Sequence, residues 1–132
     1  MMRQPNLRIV AAALAFVLAG TSFAEEPIDN CSSLLGSLSV ELRYARKLSA
    51  SDRTTFVCPR DTKALLGASK QRIVNSLGPP DVTAPAAEGH SATWSYYFGP
   101  KPETIYPAGV PHLRFEFDAR QSVASVSCER TR

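Results

Sequence analysis

Residues that carry chemistry are scarce in this chain. Its 132 residues include two histidines, three cysteines and one tryptophan, and no sequence motif indicates a reaction. His90 and His112 lie next to Gly or Pro, which places both in loops, and they lack the short spacing of a metal-ligand pair. We therefore expect no catalytic residue, no metal ion and no cofactor, and a function based on binding.

A long apolar stretch and a lipid-attachment cysteine are also missing. The apolar run at residues 9–20 is shorter than the roughly 20 residues that span a bilayer. The sequence Leu-Ala-Gly at 18–20 is followed by Thr21, where the bacterial lipobox has the cysteine that receives the lipid. The sequence therefore predicts neither a transmembrane helix nor a lipid anchor.

The features present at the start of the chain are those of a secretion signal. Arg3 and Arg8 precede the apolar run, and Ser22 and Ala24 are small residues at the positions that signal peptidase requires. We predict that residues 1–24 are a signal peptide cleaved after Ala24. The mature protein is then expected in the periplasm or outside the cell, in an oxidising compartment that favours disulfides.

Net charge is low once this segment is removed. The full chain has 15 Lys and Arg against 12 Asp and Glu, and residues 25–132 keep 13 and 12. Nucleic-acid binding is typical of chains with a clustered basic face, so we expect no nucleic-acid partner. Arg43, Arg46 and Lys47 form a small basic face on a predicted helix. Such a face can bind anionic lipid headgroups, but basic helix faces of this size are more often simply exposed to solvent.

The three cysteines allow one disulfide and leave one thiol. Loop-closure entropy gives about 4.4 kcal/mol for Cys58 with Cys128 and about 3.6 kcal/mol for Cys31 with Cys58, a difference too small to decide between them. We favour Cys58 with Cys128, because Cys128 ends a predicted strand and Cys58 precedes the helical region that should cover that sheet. Cys31 is then either a partly buried residue at a helix start or the site of an intermolecular bond.

The first predicted helix belongs to a segment at residues 25–60, which ends in a connection. Residues 31–48 carry an apolar stripe with the period of an α-helix, and Asp29 or Asn30 is available as its cap. The stripe consists of Leu34, Leu35, Leu38, Leu42, Ala45 and Leu48.

A second unit is predicted at residues 61–132, and it begins with one helical turn and a short helix. Gly67 ends the turn, which contains Ala64, Leu65 and Leu66. Ser69 then caps the short helix, and Gly78 with two following prolines ends it. Its apolar face consists of Ile73, Val74 and Leu77.

Three later segments alternate with the period of a β-strand. The predicted inward residues are Trp94, Tyr96 and Phe98, then Leu113, Phe115 and Phe117, then Ala124, Val126 and Cys128. The predicted outward residues are Thr93, Ser95 and Tyr97, then Arg114, Glu116 and Asp118, then Val123, Ser125 and Ser127. This pattern predicts an α+β fold with two or three short helices on one face of a three-stranded antiparallel meander, whose other face meets water. A tight hairpin at 118–122 joins the last two strands.

The order of these motifs resembles a known family. The stretches LLGASKQRIVNSLGPPDV, WSYYF and LRFEFDARQSVASV, within residues 65–126, are similar to the SmpA/OmlA family of outer-membrane assembly factors, the BamE-like domain. The resemblance implies two helices packed on a three-stranded antiparallel meander, an architecture shared with beta-lactamase-inhibitor-like domains. It also implies an envelope protein partner or anionic lipid. Family members are typically lipoproteins, and Thr21 departs from that pattern.

Two classes of function fit these expectations. The first is a non-catalytic binding or scaffolding module of the bacterial cell envelope, with an outer-membrane or other envelope protein, or an anionic lipid, as its partner. The second is a secreted inhibitor that binds a target enzyme through the open sheet face. In both, the predicted interaction surface contains Tyr97, Arg114 and Glu116 on the strands and Tyr106 in a Pro-rich loop, because aromatic side chains beside charges are typical of binding hot spots.

Overall fold

The structure is a computed structural model that describes residues 29–49, 52, 55–100 and 108–131. The α+β prediction is confirmed, with the helices α1 (Asn30–Arg46) and α2 (Lys70–Leu77) and a 3-10 turn at Lys63–Leu65. The strands are β1 (Val82–Ala84), β2 (Ala92–Tyr97), β3 (Pro111–Phe117) and β4 (Val123–Arg130), which form one antiparallel sheet in that order. The predicted signal peptide and Tyr106 lie outside the described residues.

Helix α1 begins where the sequence provides a cap. The Asp29 side chain accepts a hydrogen bond of 2.6 Å from the backbone N–H of Ser32, which satisfies a donor that has no partner within the helix. The helix ends at Arg46, two residues before the predicted end. The predicted stripe is buried at Leu35, Leu38, Leu42 and Ala45, whereas Leu34 and Leu48 are partly exposed. This stripe therefore fixes which side of α1 faces the sheet.

Helix α2 is short, and both of its predicted ends are confirmed. Ser69 Oγ accepts from the Arg72 backbone N–H at 3.1 Å, and the helix stops at Gly78, whose φ of 76° favours glycine. The Tyr96 hydroxyl donates to the carbonyl oxygen of Gly78 at 2.8 Å. A helix of eight residues is not stable alone, so packing of Ile73 and this contact with β2 hold it in place.

The core lies between the helices and the inner face of the sheet. The inward residues of β2 and β3 meet the buried helix residues in one cluster, as the strand periodicity predicts. Its fully buried members from the sheet side are Tyr96, Phe98, Leu113 and Phe115. Phe117 also belongs to this cluster, and the partly buried Trp94 packs edge-on against it with ring centroids 5.0 Å apart. Burial of this apolar face is the main term that holds the two layers together.

The sheet has four strands, and the sequence predicts only three. The missed strand, β1, pairs with β2 through Val82 with Ser95, Thr83 with Trp94 and Ala84 with Thr93. All three residues of β1 are exposed. A strand of this length with no buried residue has no alternation of apolar and polar side chains, which is the signal that sequence analysis reads.

The start of β4 corrects a second prediction. Glu116 pairs with Ser125 and Phe117 pairs with Val123, so the register shifts and Ala124 has no partner opposite it. This bulge turns Val123 into the core, where it is 3% exposed, and leaves Ala124 exposed, the reverse of the predicted orientation. Beyond the bulge the predicted orientation holds, because the later inward residues of the strand pack against the core.

The predicted disulfide between Cys58 and Cys128 is confirmed. The two Cα atoms are 5.7 Å apart and the cysteines are 70 positions apart in sequence. The bond joins the segment that precedes the 3-10 turn to the edge strand β4. Cys31 forms no disulfide and is partly buried against the core near the start of α1.

A buried carboxylate links α1 to the sheet. Asp81 Oδ2 accepts from Arg46 Nη2 at 2.7 Å and from the Tyr97 backbone N–H at 2.8 Å, and the Asp81 side chain is only 7% exposed. The Asp81 backbone N–H donates to the carbonyl oxygen of Ser95 at 2.9 Å. These bonds place the end of α1, the turn after α2 and the end of β2 in fixed relative positions.

We expect Cys58→Ala and Cys128→Ala to lower the free energy of unfolding by similar amounts, about 4 kcal/mol each, because either change opens the same long loop. The double variant should lose little more than either single variant. Chemical denaturation of the three proteins measures this, with Cys31→Ala as the matched control that leaves the disulfide intact. Additive losses from the two single changes would contradict the pairing.

Replacement of Asp81 by Asn should lower the free energy of unfolding by about 2 kcal/mol, because Arg46 then faces a neutral amide in place of a buried carboxylate. Glu88→Gln, an exposed carboxylate in the turn before β2, is the control and should change little. Urea denaturation compares the two. Equal stability of both variants and the parent protein would show that the Asp81 contacts contribute nothing.

The Asp29 cap should make stability depend on pH. The Ser32 backbone N–H, followed by the Arg72 side chain, lowers the Asp29 pKa from 3.8 to about 2. Because the folded-state pKa lies below the unfolded value, this contribution is complete above pH 3.8 and is lost as the pH falls toward 2. Asn at position 29 still caps the helix but carries no charge. The stability difference between the parent protein and Asp29→Asn should therefore shrink across that range; a difference that stays constant with pH refutes the assignment.

Candidate functional site

One face of the sheet carries polar and aromatic side chains and lies opposite the helices. We call this the open face and define it by three rows of cross-strand partners from β2, β3 and β4. The rows are Tyr97, His112 and Glu129; Ser95, Arg114 and Ser127; and Thr93, Glu116 and Ser125. Both helices pack on the other face through the core cluster. Within the described residues neither helix covers the open face, so its side chains, apart from Ser95, which is 6% exposed, can meet a partner.

The sequence predicts three of these positions as an interaction surface, and the structure brings them together. Tyr97, Arg114 and Glu116 all lie on the open face, on two adjacent strands. The fourth predicted residue, Tyr106, is outside the described residues. Shared placement on one face follows from strand alternation, which is why the periodicity of the sequence was sufficient to identify it.

A ring stack marks one end of the open face. The rings of Tyr97 and His112 lie 4.4 Å apart between centroids and are parallel to within 3°. The prediction that His112 belongs to a loop is wrong, since it lies within β3 directly opposite Tyr97. Pro111 does not interrupt the sheet there, because its carbonyl oxygen accepts from the Phe98 backbone N–H and its missing donor breaks only one rung of the ladder. The stack holds the two rings against each other at this end of the open face.

Next to the ring stack, β3 carries two side chains of opposite charge, Arg114 and Glu116. Arg114 Nη2 lies 3.8 Å from Glu116 Oε1, and the two side chains are 46% and 40% exposed. An exposed pair at this distance contributes little to stability. Both side chains can therefore exchange this contact for a partner at low cost, which suits an interaction surface.

A small hollow lies beside the stacked histidine. It has a volume of about 80 Å³ and is lined by His112, Arg114, Ser127 and Glu129. His112 Nε2 is buried and has no hydrogen-bond partner. Burial, and then the nearby Arg114 charge, lower the pKa of His112, while the Glu129 carboxylate acts in the opposite direction. The imidazole is therefore neutral near pH 7.

His112 and Glu129 also belong to this surface, although no pattern in the sequence places them there. Each becomes part of it only through cross-strand pairing, because Tyr97, His112 and Glu129 are far apart in sequence and adjacent in the sheet. The available signal was the polar alternation of the strands. That signal gives the face of a residue but not its neighbours on the next strand.

The basic face predicted on α1 is altered by the fold. Arg46 is held by Asp81, whereas the Arg43 Nε donates to the Ser39 carbonyl oxygen at 3.4 Å and Lys47 is exposed. Two exposed cations on one helix are a much smaller electrostatic surface than the clustered basic patches that bind anionic membranes.

A second concave region lies between α1 and residues 55–59. It has a volume of about 370 Å³, and its apolar lining consists of Leu34, Leu38, Phe56, Val57 and Pro59. The polar groups around it are Ser37, Glu41 and Thr55. Most of its lining is apolar, so it offers fewer charged and hydrogen-bonding groups for specific binding than the open face does.

Neither a metal centre nor a membrane helix is found in the part of the chain that the structure describes. Its His, Cys, Asp and Glu residues form no group of three or more that could hold a metal ion. No helix there combines the length and the apolar character needed to cross a membrane. Comparison of the chain with models of protein families and with curated protein sequences found no match.

Proposed function

We propose that this protein is a non-catalytic binding module of the bacterial cell envelope and that its open face holds a protein partner. The observation that carries this proposal is the stacked pair of Tyr97 and His112, next to weakly paired charges, on a sheet face that neither helix covers. The proposed location is the periplasm, after removal of residues 1–24. The resemblance of residues 65–126 to the SmpA/OmlA family supports a role in the envelope, without the lipid anchor of that family.

The composition of the open face favours a protein over a lipid surface. Tyr and Arg are enriched among the residues that dominate binding energy at protein interfaces. Tyr97 and Arg114 lie on adjacent strands here, and the Tyr97 ring is already held by stacking, so little side-chain entropy is lost on binding. The charged groups of the open face, Arg114, Glu116 and Glu129, include two carboxylates and one cation. A surface of this charge is not attracted to anionic headgroups.

Capture of partners from a periplasmic extract tests this function. We expect the immobilised protein to retain an envelope protein, and Tyr97→Ala to weaken that binding at least about tenfold, as for other aromatic anchors. Tyr44→Ala is the matched control, since Tyr44 is 55% exposed on α1 and lies away from the open face. Circular dichroism and thermal unfolding verify that both variants remain folded.

Two results would overturn the proposal. One is a captured partner whose binding is unchanged by Tyr97→Ala, and the other is equal loss from Tyr97→Ala and Tyr44→Ala. Capture of a single soluble enzyme whose activity falls in the complex would instead establish the second class of function, an inhibitor that uses the same face.

A further inference from the structure

We propose that the hollow lined by His112, Arg114, Ser127 and Glu129 binds an arginine side chain of the protein partner. The inference depends on the proposed function, because it assigns the chemistry of one contact within the open face. It adds a specific subsite and identifies the type of residue that the partner must present there.

The position of the hollow follows from the direction of the ring stack. Tyr97, His112 and Glu129 are direct cross-strand partners on three consecutive strands. Neighbouring strands are about 4.8 Å apart, close to the 4.4 Å between the two ring centroids. The line that joins the two centroids therefore runs from β2 to β3, and each ring plane is roughly perpendicular to that line. One face of the His112 ring therefore contacts Tyr97, and its other face looks toward Glu129 across the hollow. A planar group placed there would continue the stack.

The Glu129 carboxylate of the hollow attracts a cation, and Glu116 partly balances the charge of Arg114, which lines the same hollow. Among the residues that the structure describes, Glu129 has no ion-pair partner. Arg114 Nη2 lies 3.8 Å from Glu116 Oε1, and the Arg130 guanidinium donates to the carbonyl oxygens of Gly109 at 2.7 Å and Phe56 at 3.5 Å. Within the described ranges, Glu129 is thus the carboxylate at this end of the open face that forms no salt bridge.

The shape and hydrogen-bonding groups select guanidinium over ammonium. Guanidinium is planar, so it can stack on an aromatic ring and can donate to a carboxylate through two parallel N–H groups. A lysine ammonium is a compact group that cannot form either arrangement. The neutral imidazole of His112 offers a ring face without repelling a cation. The buried His112 Nε2 lacks a partner, and the Ser127 hydroxyl lines the same hollow. Nε2 has almost no accessible surface, so the acceptor beside the carboxylate that a guanidinium N–H can reach in the hollow is the Ser127 hydroxyl.

A titration with short peptides tests the subsite directly. The probe is acetyl-Gly-Arg-Gly-amide, added to isotope-labelled protein while nuclear magnetic resonance spectra record the His112 ring and the Glu129 amide. The matched peptides carry citrulline, which has the shape of arginine without its charge, or lysine. We expect saturable shifts with the arginine peptide and a dissociation constant about tenfold or more higher for either matched peptide.

Variants locate the binding. Glu129→Gln should weaken the arginine peptide about tenfold, whereas Glu41→Gln, which removes an exposed carboxylate from α1, should leave its affinity within about twofold. The subsite is refuted if the arginine peptide gives no saturable shift, if citrulline binds equally well, or if Glu129→Gln binds as tightly as Glu41→Gln.

The partner-capture experiment separates this inference from the function on which it rests. A partner lost with Tyr97→Ala but fully retained with Glu129→Gln overturns the arginine subsite and leaves the proposed function standing. A partner lost with both variants supports the subsite. Loss with neither variant overturns the proposed function and, with it, the role of the hollow in partner binding.

Discussion

Burial of the inner sheet face beneath the helices is the constraint on which the rest of the molecule depends. Tyr96, Leu113 and Phe115 are fully buried against the helical layer. Because successive strand residues point to opposite faces, their burial commits Tyr97, His112 and Arg114 to the outside. A slip of one residue in register would exchange these sets and place charges in the core. The core thus determines the open face, although no open-face residue belongs to it.

The bulge between β3 and β4 shows how the same constraint operates where the sequence pattern fails. Val123 enters the core and Ala124 is left without a partner, because burial of a valine is worth more than burial of an alanine. The extra residue restores the alternation that follows, with Val126 and Cys128 inward. Ser127 and Glu129 consequently reach the open face, and Cys128 meets Cys58 on the other side of the sheet.

Local signals in the sequence predict much of this fold, and contacts between distant residues explain what they miss. Ser69, Gly78 and the alternation of Leu113 and Phe115 act within a few residues, so helix ends and strand faces could be predicted. The partnership of Asp81 with Arg46 could not, since it joins residues 35 positions apart. The stack of His112 on Tyr97 likewise depends on register between strands, and a single sequence contains no record of which residues pair.

The polar groups of this protein are divided by how firmly the fold holds them. Asp81 is buried and makes charge-assisted bonds that fix the backbone of β2 at Tyr97. On the adjacent open face, Tyr97 stacks on His112 of β3, while the exposed charges of Arg114 and Glu116 are 3.8 Å apart. Rigid aromatic groups lower the entropic cost of association, and weakly paired charges can change partners. A surface with both properties can bind selectively without a large rearrangement, because the bonds of Asp81 already hold the backbone of β2 behind it in place.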